Sequence, residues 1–96
     1  MDKIRVVTHT WRQVSCFCRI NRLKTSEVFY VSQYEDLLKG RPKVIVVLPG
    51  HYHQEDYFEV NEIIDRYEQK GTRVLRLGDD DTLPDNIKPL CGIPNR

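Results

Sequence analysis

The chain has 96 residues, 40% of them hydrophobic and 30% charged, with a formal net charge of +1. That balance fits one soluble globular domain and leaves no room for a multidomain enzyme. The longest unbroken aliphatic run is residues 44–48, far short of the roughly 20 apolar residues of a membrane helix. The small net charge hides an asymmetry. Residues 1–48 carry nine Lys/Arg and four Asp/Glu, whereas residues 49–96 carry six and ten. One part of the surface should attract anions and another should repel them.

Residues 3–8 (Lys-Ile-Arg-Val-Val-Thr) read as a first strand. Thr10-Trp11-Arg12-Gln13 has the form of a capping box, in which a hydroxyl caps the helix and Gln13 reaches back. Trp11, Val14, Phe17 and Cys18 continue at helical spacing to about Leu23, with Trp11 and Phe17 expected in the core. Residues 27–32 are β-branched and aromatic, a second strand. Ser32-Gln33-Tyr34-Glu35 is a second capping-box form and opens a short helix through Leu37 and Leu38, ended by Gly40. Residues 43–48 are continuously apolar, as in a strand covered on both faces. A long helix is expected over residues 55–70, with Tyr57, Val60, Ile64 and Tyr67 as its apolar stripe and Gly71 as its stop. Residues 72–77 form a fourth strand. Residues 83–96 form an irregular tail after an α/β domain of residues 1–82.

Strands alternating with helices imply right-handed βαβ units and a parallel sheet. The expectation is an α/β fold: one three-layer domain with a four-stranded parallel sheet in the order 2-1-3-4 and three helices. The first helix covers one face, the second and third the other. The first face is left short of cover beside strand four. Leu83, Ile87, Leu90 and Ile93 of the tail, or a second copy in a homodimer, would fill it.

Residues 27–50 and 55–77 resemble the later strands of small Rossmann-like, flavodoxin-like or P-loop-like domains, of which bacteriophages encode many short examples. The run Val-Ile-Val-Val-Leu-Pro-Gly stands where a P-loop ATPase carries an apolar strand ending in a metal-directing Asp; here Leu48-Pro49 replaces the acid. The phosphate loop is missing as well. The resemblance therefore implies a viral accessory protein of this architecture without ATP hydrolysis. A complete lack of alanine also fits a genome of biased composition.

In such sheets ligands bind beyond the carboxyl ends of the strands, where strand order reverses. That point lies between strands one and three. The candidate ligand-binding rim is Thr8, His9, Thr10, His51, His53 and Asp79. His9, His51, His53 and Asp79 are candidate ligands for a divalent metal that could activate water for phosphoester cleavage. Thr8 and Thr10 with Arg12 could instead bind phosphate at the start of the first helix. Arg12, Arg19, Arg22 and Lys24 make a basic stripe, a candidate nucleic-acid surface. Cys16 and Arg22 have the C-x5-R spacing of cysteine phosphatases. That loop must follow a strand directly, so Cys16 inside a helix is expected to be a small buried hydrophobe. The three cysteines form an odd set, and residues 1–5 lack the apolar stretch of a signal peptide. The expectation is therefore reduced thiols and a cytoplasmic setting, the host cytoplasm for a viral chain. With no cofactor motif and no nucleophile–base pair, the favoured reading is a non-catalytic module that binds a protein partner or itself. The alternatives are a metal-dependent phosphoesterase or nuclease, and a nucleic-acid binder.

Overall fold

The computed structural model describes residues 3–78 and 80–94. Strands β1 (Ile4–Val7), β2 (Val28–Val31), β3 (Val44–Val47) and β4 (Arg73–Arg76) form one sheet in the order β2-β1-β3-β4, all pairs parallel. Helices α1 (Trp11–Ile20), α2 (Tyr57–Gln69) and the single turn α3 (Ile87–Leu90) join or follow them, with 3₁₀ turns at Thr25–Glu27, Tyr34–Leu37 and Pro49–His53. This is the expected small α/β domain with a 2-1-3-4 parallel sheet.

Strand alternation sorts the core into two clusters. Ile4 and Val6 of β1 and Val44 and Val46 of β3 meet Val14, Phe17 and Cys18 of α1 on one face. Val7 and Ile45 meet Val60 and Ile64 of α2 and Leu37 on the other. Burying each such side chain contributes about 1.5–3 kcal/mol. On the α1 face the cluster also takes in Leu83, Ile87, Cys91 and Ile93. Leu90 is exposed.

Local chemistry moves several expected boundaries. Helix α1 stops at Ile20 because Arg22 turns left-handed (φ 54). The amides of Leu23 and Arg22 then reach back to the carbonyls of Cys18 and Arg19, a Schellman closure with arginine in the usual glycine position. Helix α2 ends on the same closure with Gly71 at φ 98, Thr72 N donating to Tyr67 O and Gly71 N to Glu68 O.

The expected second helix is only the 3₁₀ turn Tyr34–Leu37. The cause is Arg5, which is buried in the central strand β1. Its guanidinium lies 4.9 Å from the Phe29 ring centroid. Nη1 donates to Asp36 O at 2.6 Å and Nη2 donates to Lys39 O. Carbonyls that a growing helix would offer to its own amides are given to arginine instead. Asp36, not Ser32, supplies the local side-chain cap, its Oδ2 accepting from Ser32 N at 3.2 Å.

Two buried assignments are corrected. Trp11, the first residue of α1, is half exposed, its ring 5.8 Å from that of Tyr30. Cys16 is exposed, since the α1 core face is set by Val14, Phe17 and Cys18.

Candidate functional site

The segments that follow the strands gather at the carboxyl end of the sheet, where the sequence places a site. The crevice at the β1–β3 reversal is not open. Thr8 is fully buried at the end of β1 and its hydroxyl donates to Gln13 Oε1. The Gln13 carboxamide lies against Gly50, where any Cβ would collide with it. Gln13 thus plugs the reversal point instead of closing a capping box, and Thr10 makes no side-chain cap.

Open space lies on either side of this plug. A cleft of about 390 Å³ sits beyond β3 and β4, lined by His51, Tyr52, Tyr57, Asn61 and Arg76 among others. A second, of about 380 Å³, lies beyond β1 and β2, lined by His9, Tyr34, Glu35, Gln54 and Asp56 among others.

The histidines divide between these surroundings. The His9 and His53 rings are exposed and their centroids are 6.0 Å apart. His51 is buried and turned away from them, its ring 4.8 Å from that of Tyr57. Gln54 Nε2 donates to Val31 O at 3.3 Å, which directs Gln54 Oε1 at His51 Nδ1, 2.6 Å away. Facing an amide oxygen, Nδ1 is the donor of this contact. Nε2 is left buried without a hydrogen-bond partner. Among the described residues no group of three or more His, Cys, Asp or Glu is placed to hold a metal ion. Asp79, the acidic candidate, lies outside the described residues. The structure thus brings His9 and His53 together but not His51.

The remaining candidates follow α1. Arg12 is exposed near the carboxyl end of the sheet, while Arg19, Arg22 and Lys24 lie exposed toward the amino end. The buried Cys18 thiol is pushed up to about 11 by burial and, secondarily, by the Glu27 carboxylate. It is therefore a protonated core group, not a nucleophile at neutral pH.

What the sequence reading passed over is the aromatic content of this end. Trp11 is 50% exposed, Tyr52 63% and Phe58 82%. Trp11 lies 5.8 Å from Tyr30, whose hydroxyl donates to His9 O at 2.8 Å. Burial, and after it the Asp36 charge, raises the Tyr30 phenol above its ordinary value, so it remains a donor. Tyr52 stacks at 4.2 Å on His53, and Phe58 meets Tyr57 edge-on at 5.4 Å. A signal was present: Tyr52, His53, Tyr57 and Phe58 crowd into one loop and helix start directly after the most apolar strand. Rings that are held by neighbours yet face water can make contacts at little entropic cost.

No protein-family model, no curated protein and no solved structure matches the chain.

Proposed function

We propose that this chain is a non-catalytic binding module whose aromatic carboxyl end docks a protein partner. The observation that carries this reading is the outward display of Trp11, Tyr52 and Phe58 together with the His9, His53 and Tyr57 rings at the same end. Tryptophan and tyrosine are the residues most enriched among energetically dominant interface positions. Glu35, Glu55, Asp56 and Glu59 frame these rings, which suits a polar border around a contact and opposes a phosphate backbone laid across it. The phosphoesterase alternative puts a metal on His9, His51 or His53 with Asp79; of the histidines, His9 and His53 lie together while His51 Nδ1 faces Gln54. The missing alanine and the likeness to short phage proteins support a viral accessory role in the host cytoplasm.

The test is photo-crosslinking from benzoylphenylalanine placed at Tyr52 or Phe58, in the cell that makes the full chain. A discrete protein adduct is expected from both positions. None is expected from Glu62 on the outer side of α2. Equal yields from Glu62, or no adduct from either ring position, would overturn the reading.

A further inference from the structure

Charge sorts along the strand direction. Because all four strands run parallel, the segments before them share one end of the molecule and those after them share the other. The amino end displays Lys3, Lys24, Lys39, Arg41, Lys70 and Arg73, all exposed. Among the described residues, Glu27, Glu68 near the end of α2 and Asp85 temper it, together with Asp36, which sits 3.8 Å from Lys39. The carboxyl end displays Glu35, Glu55, Asp56, Glu59, Asp80 and Asp81, opposed by Arg12 and Arg76.

Exposed apolar side chains sort the same way. Trp11, Tyr34, Tyr52 and Phe58 stand at the carboxyl end, whereas Ile20, Leu38 and Leu90 stand at the amino end. There a cleft of about 380 Å³ has Lys43, Lys70, Arg73 and Leu90 in its wall. It is a cationic socket with an aliphatic lip.

We propose that copies of this chain associate head to tail, the acidic aromatic end of one seated on the basic aliphatic end of the next. The inference rests on the reading of the carboxyl end as a docking surface and names the partner as the same chain. Each end supplies what the other lacks. Opposite charge steers and orients the approach, aromatic faces meet cations, and both ends hold apolar groups for a dry centre. A phosphate backbone or an anionic bilayer would match the amino end alone and leave the aromatic end without a role. The two ends face in opposite directions, so the contact is heterologous and each added copy presents a fresh acidic end. Growth is therefore open, not limited to a pair.

The experiment is sedimentation of the full chain over a wide concentration range. Salt is varied from about 0.01 M to about 1 M, over which the screening length falls from about 30 Å to about 3 Å. At low salt the average mass should climb past two copies with concentration. At high salt the association constant should drop at least about tenfold, a change of about 1.4 kcal/mol. Lys70→Glu with Arg73→Glu should sediment as a monomer, and so should Glu55→Lys with Glu59→Lys. An equimolar mixture of the two variants should form at least a one-to-one pair, since the unaltered acidic end of one seats on the unaltered basic end of the other. All of these positions but Arg73 lie outside the strands, and circular dichroism checks the fold.

A native chain that remains a monomer at low salt overturns the proposal. So does a mass that stops at two and ignores both variants, or a mixture that stays monomeric. Salt-sensitive binding of duplex DNA or phosphatidylglycerol vesicles that is lost in the Lys70/Arg73 variant, without self-association, also overturns it and gives the amino end to a polyanion. If the chain is a monomer but Tyr52 crosslinks to a different protein, only this inference fails. If no adduct forms either, the docking reading fails with it.

Discussion

The two faces of the sheet are held by different physics. On the α1 face the cover is almost wholly apolar, from Val14 and Phe17 to Leu83, Ile87 and Ile93. On the α2 face the apolar cluster of Val7, Ile45, Val60 and Ile64 is smaller, and long polar contacts secure the chain over it. Arg5 holds the carbonyls of Asp36 and Lys39. Tyr67 donates to Leu37 O at 2.7 Å, and Asp56 accepts from Tyr34 N at 2.6 Å. The α1 face relies mainly on area removed from water, with Leu83 N donating to the buried Asn21 Oδ1 at 2.7 Å, whereas the α2 face has several directional bonds that position particular turns. Of these contacts the one between Asp56 and Tyr34 lies at the carboxyl end, and through it the second face bears on the proposed function.

The comparison is sharpest in three measurements. Phe17→Ala empties the middle of the α1 cluster and should cost about 3–5 kcal/mol in denaturant unfolding. Its effect should spread over the whole domain, because that face is one contiguous apolar body. Arg5→Leu should cost about 2–3 kcal/mol by stranding carbonyls that now accept from a charged donor. Here the loss should be local first, with amides of residues 33–40 exchanging with solvent before the rest. A uniform loss for Arg5→Leu, or a local one for Phe17→Ala, would erase the distinction between the faces.

The smallest effect is a pH response confined to the α1 face. The Cys18 thiol has its pKa raised from 9.0 to about 11 in the fold. Below pH 9 the thiol is protonated in both states, and the stability linked to it is fully present. Between about pH 9 and 11 the unfolded chain gives up this proton first, so stability should fall by up to about 2 kcal/mol. Cys18→Val should remove that part of the alkaline slope. An unchanged slope would show that the thiol is not shielded as the structure describes.

The same contrast decides what could be read from residue order. Strand identity, the 2-1-3-4 order and the α1 and α2 core faces were legible because apolar periodicity is local and repeats. Gly71 announced the end of α2, whereas Arg22 disguised the equivalent end of α1 by taking a left-handed conformation without being glycine. The 3₁₀ turn at Tyr34–Leu37 was illegible because its cause, Arg5, lies 31 residues from Asp36. At the candidate site, the gathering of His9 and His53 beyond the strand ends was readable. The burial of His51 against Gln54 depends on Gln54 reaching Val31, 23 residues away. Trp11 looked like a core residue since spacing reports the side of a helix but not how far its first residue is covered.

Ile87, Cys91 and Ile93 belong to the same apolar body as Ile4 and Val6. Residues 87–93 therefore complete an apolar surface that β1 begins. Without that segment the α1 layer would leave a greasy gap facing water. Such a gap is sticky and readily engaged by chaperones and proteases. Docking of residues 87–93 thus decides whether the α1 face is a finished surface or an adhesive one.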